Sequence, residues 1–409
     1  MSNDAWTKDE DTKIEVSGLT NNQPRDDWRT KLRYFTKRDA KETAKDVAHW
    51  MLHPAGRPLL NEIKNNLKSG ITVSLVNIPL SISLAIAGGS NPVAGIVTAF
   101  WAGIISALCG GSHYNIVGPT GALSGVLMAA SSKYGEAILP FLSITAGLLC
   151  FLVWIFNIDR YVMFIPSSVI HGFTLGVAFI IGLNQLNSAF GLTNVPKSEF
   201  FLGGVYQTLI HIPETKPWSF PFFLVNFIVL FALLRKWPKV PWAIVIAFVG
   251  IAIGMGIDYD VIPIDLETLQ DRFPSLELSL VAVPKFKPEL FSIEMFSETF
   301  TVAFIAILET LISARIADGM TKTKHNQRRE VLGVAMANIF CGALGGIPAT
   351  AALARTALNI KSGATSRISA VINCISVAIL GVALLRFFQV HSNSLFLSFS
   401  LISIFFVSM

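Results

Sequence analysis

Long apolar runs recur along most of this chain, and they restrict the folds that it can adopt. Several of them approach the roughly 20 residues that a helix needs to cross about 30 Å of hydrocarbon. Hydrophobic residues make up 52% of the 409 residues, and charged residues make up only 14%. A soluble fold of this composition would expose apolar patches that its few charges could not cover. The sequence therefore predicts an all-α, polytopic integral membrane protein.

Ten spans and two shorter helical pieces account for the apolar runs. The short pieces cover Pro119–Ser131 and Pro348–Ile360, and each crosses the membrane together with an extended lead-in. The ten predicted spans are residues 70–89, 92–109, 137–157, 164–186, 218–235, 240–256, 298–317, 330–344, 366–385 and 394–409.

The basic residues of the short loops predict how the chain is inserted. If the N-terminal region lies in the cytosol, each loop after an even-numbered crossing should carry Lys and Arg. These loops do so; their basic residues are Arg160, Arg235, Lys236, Lys239, Lys322, Lys324, Arg328, Arg329, Lys361 and Arg367. We therefore expect a multi-pass protein of the plasma membrane with a cytosolic N-terminus. The net charge of +5 does not indicate a nucleic-acid partner.

The two short helical pieces share an unusual beginning. In "NIVGPTGALSG" (115–125) and "GGIPATAALAR" (345–355), Gly and small polar residues lead to Pro and then to small residues. Because Pro suits the first position of a helix, we expect half-helices that begin at Pro119 and Pro348. Their N-termini would face each other near the midplane, where free N–H groups and partial positive charges form an anion site. The alternative is a pair of Gly-Pro kinks that serve packing alone.

Charged and polar residues inside the apolar runs are candidate functional groups. Glu309 and Ser313 lie four residues apart on one helix face, where they could hold Na⁺, carry a proton or balance Arg355. The alternative for Glu309 and Arg355 is an ion pair that only joins two helices. Asn77 and Ser81 are expected to line a cavity, with helix–helix hydrogen bonding as the alternative. We expect no organic cofactor and no enzyme activity, because nucleotide loops, nucleophile constellations and metal clusters are absent from the sequence.

Three segments together resemble the SulP family of sulfate permeases and anion exchangers, which includes prestin and cyanobacterial bicarbonate transporters. They are "GITVSLVNIPLSISLAIAGG", "GGSHYNIVGPTGALSGVL" and the stretch 309–371, which contains "GGIPATAALARTALNIKSG". The resemblance covers about residues 68–385. It implies seven plus seven inverted segments, with a core domain of segments one to four and eight to eleven. A gate domain would consist of segments five to seven and twelve to fourteen.

The resemblance also implies roles for particular residues. Two sets match the starts of the family's half-helices: Pro119, Thr120 and Gly121 in segment three, and Ala349, Thr350, Ala351 and Arg355 in segment ten. Glu309 and Ser313 match positions that resemble a Na⁺ site in the bicarbonate transporters. Leu80 follows Pro79 where many members carry Gln, so the substrate cannot be copied from them.

We divide the chain accordingly. Residues 1–66 form a polar cytosolic region, 67–256 the first inverted repeat of seven segments, and 257–297 an extracytosolic acid-rich loop. Residues 298–409 form a second repeat of five segments, because the sequence ends within segment twelve. We expect the last two segments and the STAS domain of the family to be missing.

The preferred functional hypothesis is a secondary transporter of small inorganic anions of the sulfate or bicarbonate class. Two half-helix N-termini would hold the anion, and an elevator-like movement would give alternating access, with Na⁺ or H⁺ as a possible coupling ion. One alternative is an uncoupled anion channel or a motor-like relative, and another is a truncated membrane protein that does not transport. The expected partners are the anion, the lipid bilayer and a second copy of the chain in a homodimer.

Overall fold

The computed structural model describes residues 59–158, 186–192, 201–237, 242–259, 279–284 and 293–389, with a few single residues between 160 and 195. Most of the predicted N-terminal region and of the acid-rich loop lies outside these residues. So do nearly all of the predicted span 164–186 and the whole of 394–409.

The described part is built of helices and two short strands. Its first half contains α1 (Leu59–Ala87), α2 (Pro92–Cys109), β1 (Val117–Gly118), α3 (Gly121–Tyr134), α4 (Ile138–Ile155), α5 (Leu186–Ala189), α6 (Phe201–Ile210), α7 (Ser219–Lys236) and α8 (Trp242–Asp258). Its second half contains α9 (Ile293–Thr321), α10 (Gln327–Ala343), β2 (Thr350–Ala351), α11 (Leu353–Lys361) and α12 (Ile368–Gln389).

Four of the described helices are long and apolar enough to cross a membrane. They are α1, α2, α4 and the Met295–Thr321 part of α9. Shorter apolar helices cover Ser219–Leu233 and Ile368–Gly381. Large apolar side chains such as Leu148 and Phe300 are exposed on the outer faces of these helices, where lipid rather than water suits them. These helices support the prediction of an integral membrane protein.

The first helix starts earlier than the predicted boundary at residue 67. Helix α1 begins at Leu59, and its first turns carry the buried polar side chains of Glu62 and Asn66. The Asn66 amide donates to Thr365 Oγ1 at 2.9 Å and accepts from the Thr365 backbone N–H at 2.8 Å. The extension is therefore held by polar contacts, which a search for apolar runs does not detect.

Helices from the two halves of the chain pack against each other. Helix α1 lies along α12, α2 lies between α10 and α12, and α4 lies along α10 and α9. Glycine permits the close approach, because a Cβ on Gly147 of α4 would lie 2.7 Å from the backbone N of Ile339 in α10. Small residues at such crossings are typical of membrane helices. Both strands lie inside this assembly, where a core cluster includes Ala102, Val117, Ala337, Cys341, Ala349 and Ala351.

One end of the assembly carries a group of basic residues. There the connections 110–116 and 322–326 meet, and the Asn326 backbone N–H donates to the Gly111 carbonyl at 3.2 Å. We call this the basic end, because these connections and the neighbouring helix ends carry Lys322, Lys324, Arg328, Arg329 and Lys361. At the opposite end, Ser90 Oγ donates to Glu136 Oε1 at 3.1 Å.

Candidate functional site

The two segments that precede α3 and α11 pair with each other inside the assembly. We call residues 110–120 the first lead-in and residues 344–352 the second lead-in. Strands β1 and β2 are antiparallel, with Val117 opposite Ala351 and Gly118 opposite Thr350. Because the strands run in opposite directions, the helices that follow them leave the pair in opposite directions. The expected extended lead-ins before two short helices are present.

The second half-helix does not begin where its proline predicts. Helix α11 begins at Leu353, five residues after Pro348, whereas α3 begins at Gly121 with Thr120 as its N-cap. The prediction that a half-helix begins at Pro119 is wrong by two residues, and the prediction that one begins at Pro348 is wrong by five. The residues after Pro348 are extended because they are bonded to side chains of neighbouring helices.

Three polar side chains hold the second lead-in. Thr98 Oγ1 of α2 accepts from the Ile347 N–H at 2.8 Å. The Asn338 amide of α10 accepts from the Ala349 N–H at 2.8 Å and donates to its carbonyl at 2.9 Å. Thr310 Oγ1 of α9 accepts from the Ala351 N–H at 3.1 Å. The backbone N–H groups of Ala349 and Ala351, which were predicted to bind an anion, therefore already have acceptors.

Other backbone N–H groups near the strands have no acceptor among the described residues. They belong to the first turns of the two half-helices: Gly121 and Ala122 in α3, and Leu353 and Ala354 in α11. The first N–H groups of a helix have no intrahelical partner, and the helix dipole adds about half a positive charge there. An anion is the ligand that such groups bind best.

Arg355 joins the two half-helices. It lies in the first turn of α11 and is only 1% exposed. Its Nη2 donates to the Pro119 carbonyl at 2.6 Å, and its Nη1 donates to Asn77 Oδ1 at 2.7 Å. Its Nε is buried and has no hydrogen-bond partner in the described part of the chain. The guanidinium group therefore keeps a donor free next to the start of α3.

The contacts around Arg355 show what the two residues that were predicted to line a cavity do in the structure. Ser81 Oγ donates to Asn77 Oδ1 at 3.0 Å, and Asn77 Nδ2 donates to Asn373 Oδ1 of α12 at 3.4 Å. Asn77 and Ser81 are fully buried, and they help to hold Arg355. Gly118 leaves space for the guanidinium group, because a Cβ there would lie 2.7 Å from Nη1.

Glu309 contacts both lead-ins but does not form the expected ion pair. Its Oε2 accepts from Thr120 Oγ1 at 2.9 Å and from Thr350 Oγ1 at 2.5 Å. Within the described residues, no salt bridge joins its carboxylate to Arg355. The two charges are close in the fold, yet each is bonded to neutral groups. Three oxygen-bearing side chains, those of Glu309, Thr120 and Thr350, thus meet beside the strand pair.

Ser313 is separated from this group of oxygens. Its Oγ donates to Asn115 Oδ1 at 3.1 Å and lies 3.0 Å from Thr356 Oγ1. No hydrogen bond to Glu309 is formed in the described part of the structure. The spacing of four residues places both side chains on one side of α9, but they lie a turn apart.

Several residues that shape the site were not found by sequence reasoning. Thr98, Thr310, Asn338 and Asn373 lie within apolar helices and are fully buried. A buried Asn is an unusual residue in a membrane helix, so Asn338 and Asn373 could have been identified from the sequence as candidate site residues. The two Thr residues could not have been identified in this way, because Thr is common in such helices and often bonds the backbone of its own helix.

Known proteins show the same sequence pattern and the same fold. Residues 63–401 match the sequence model of the sulfate permease family. YvdB of Bacillus subtilis (strain 168), whose name proposes sulfate transport, is 33% identical over 328 residues, which are 78% of this chain and 59% of YvdB. The bicarbonate transporter BicA of Picosynechococcus sp. is 26% identical over 338 residues, which are 78% of this chain and 58% of BicA. The chain thus spans less than two thirds of the length of these relatives.

A solved structure supports the fold class. The transmembrane domain of a cyanobacterial bicarbonate transporter BicA superposes with a TM-score of 0.70 at 22% identity. The superposition covers 85% of this chain and 89% of that domain. The predicted fold class is thereby confirmed. The chain belongs to the sulfate permease (SulP) family, which is a family of membrane transporters and not of enzymes.

Proposed function

We propose that this protein transports small inorganic anions of the sulfate or bicarbonate class across a membrane. The observation that carries the proposal is the free donor set at the strand pair. Among the described residues, the amide N–H groups at the starts of α3 and α11 have no acceptor, and neither has Nε of the buried Arg355. Sulfate and bicarbonate present several acceptor oxygens to such donors. The names of the two relatives support this substrate class.

The proposed mode of transport is an elevator-like movement of a core domain. The core would consist of α1–α4 and α9–α12, and its helices interlock across the two halves of the chain. The anion site lies wholly within this unit, so the unit could carry the anion as one body. We propose that the basic end faces the cytosol, in line with the distribution of Lys and Arg. We also propose that the protein forms a homodimer in the plasma membrane.

Glu309 is the proposed site of a coupling ion. Its carboxylate and the hydroxyl groups of Thr120 and Thr350 offer oxygen ligands of the kind that Na⁺ and protons use. The negative charge of Glu309 opposes anion binding at the nearby helix starts. A cation bound at this carboxylate would remove that opposition, which would couple the two binding events.

Replacing Arg355 tests the anion site. In proteoliposomes that contain the purified protein, Arg355→Gln should raise the KM for sulfate or bicarbonate uptake at least tenfold, because the site loses its positive charge. The exposed Lys361→Gln at the other end of the same helix should leave the KM within about twofold, since that side chain lies away from the start of α11. Equal KM values for Arg355→Gln and the wild type would refute the site assignment.

The space at Gly118 gives a second test. Gly118→Ala should raise the KM in the same direction, because the added methyl group displaces the Arg355 guanidinium group. The same substitution should have little further effect in the Arg355→Gln background, since residues that act through one contact are not additive. Full additivity of the two substitutions would contradict this contact.

The coupling ion can be tested by exchanging the cation. If Na⁺ drives uptake, replacement of Na⁺ by K⁺ should abolish it, and Glu309→Gln should remove the difference between the two buffers. If H⁺ drives uptake, the same variant should remove its dependence on an imposed pH gradient. Uptake by the wild type that responds to neither gradient would refute a coupling role for Glu309.

A further inference from the structure

A second buried carboxylate contacts the beginning of the first lead-in. Glu330 lies in the first turn of α10 and is 1% exposed. Its Oε2 accepts from the Gly111 N–H at 2.6 Å and from the Ser112 N–H at 2.7 Å. Its Oε1 accepts from the Asn115 amide at 2.6 Å. One side chain from the second half of the chain thus binds three donors of the first.

The contact continues from Asn115 to two helices that bear functional groups. Asn115 Oδ1 accepts from Ser313 Oγ of α9, and Ser313 Oγ bonds in turn with Thr356 Oγ1 of α11. Thr356 Oγ1 also accepts from the Ile116 N–H at 3.2 Å. Because Ile116 belongs to the first lead-in, this series of hydrogen bonds begins and ends there. We call Glu330, Asn115, Ser313 and Thr356 the Glu330 network.

The position of the network connects it with both charged residues of the site. Ser313 lies one turn from Glu309 on α9, and Thr356 follows Arg355 on α11. The first lead-in continues into β1 and then into α3. A shift of the first lead-in would therefore change the position of the free N–H groups of α3 relative to Arg355.

The network is strong enough to fix this geometry. Hydrogen bonds to a carboxylate are short and stronger than bonds between neutral groups. A buried carboxylate that lost its donors would be costly, so the donors remain bound. The backbones are also in direct contact, because a Cβ on Gly333 of α10 would lie 2.6 Å from the Cα of Gly110.

We propose that Glu330 is a positioning residue, which acts through Asn115 and Ser313 to align the first lead-in with α11. This inference rests on the proposed anion transport, because the aligned groups are the proposed anion donors. It also gives Ser313 a different role from the one that family resemblance implies. Ser313 aligns the two half-helices and does not hold the coupling ion.

A matched set of substitutions tests the pairing of Glu330 with Asn115. In Glu330→Gln, an amide NH₂ faces the NH₂ of Asn115, and in Asn115→Asp two carboxylates face each other. The double variant pairs the NH₂ of the new Gln with the new Asp carboxylate, and it keeps an acceptor for Gly111 and Ser112. Each single variant should raise the KM for sulfate or bicarbonate at least fivefold with a smaller effect on the maximal rate. The double variant should have a KM well below that of either single variant, although the carboxylate at position 115 cannot replace the bond that the Asn115 amide donates to the Thr310 carbonyl at 3.3 Å.

Hydrogen–deuterium exchange of the purified protein supplies a readout that does not depend on transport. Each single variant should accelerate exchange in a peptide that covers residues 110–116, and the double variant should restore slow exchange. If the single variants change neither exchange nor KM, or if the double variant is as defective as the worse single one, the proposal is overturned. A wild type that takes up neither anion refutes the proposed function, whereas the exchange measurement still decides the role of the network.

Ser313→Ala separates alignment from ion coupling. It should raise the KM for the anion about threefold or more and leave the Na⁺ concentration for half-maximal uptake unchanged. Ser74→Ala is the matched control, because Ser74 is equally buried and, among the described residues, its hydroxyl group bonds only the Ile71 carbonyl of its own helix; that variant should change neither quantity. A shift in the Na⁺ midpoint of Ser313→Ala without a change in the anion KM would contradict the assignment.

Discussion

Non-helical backbone inside a membrane must find its hydrogen bonds within the protein, and this constraint governs the centre of the molecule. The two lead-ins satisfy this constraint by pairing with each other as β1 and β2 and by forming hydrogen bonds with side chains of neighbouring helices. Thr98 of the first half accepts from the Ile347 N–H in the second lead-in, and Glu330 of the second half accepts from two N–H groups of the first lead-in. Each lead-in is thus held partly by the opposite half of the chain. The helices cannot separate without exposing these groups to lipid.

The same constraint decides which groups remain free to bind a ligand. An amide that is bonded in a lead-in is lost to an anion, whereas the N–H groups of Gly121 and Leu353 at the helix starts have no acceptor among the described residues. Arg355 and Glu309 then differ in what they contact. The arginine binds the Pro119 carbonyl and Asn77, whereas the carboxylate binds Thr120 and Thr350. Because the two charges do not neutralise each other directly, an anion and a cation can each find a partner at the strand pair.

The sequence was sufficient to predict the helical membrane fold and the extended lead-ins before two short helices, and it singled out Arg355 and Glu309, whose side chains contact the lead-ins. Glycine, proline and charge in apolar runs are strong local signals, and they need no knowledge of distant contacts. The start of α11 could not be predicted, because Thr98, Thr310 and Asn338 hold the residues after Pro348 extended from other helices. The partner of Ser313 was missed for a similar reason. Spacing along a helix gives the side on which a residue lies, but it does not give the element that faces that residue.

The central claim is that an anion binds between the starts of α3 and α11. Anomalous diffraction from crystals grown with selenate or bromide, whichever competes with uptake, tests it most directly. We expect an anomalous peak within about 3.5 Å of the N–H groups of Leu353 or Ala354 and within similar reach of Gly121 or Ala122. A competing anion that binds elsewhere, with no peak at these two helix starts, would contradict it.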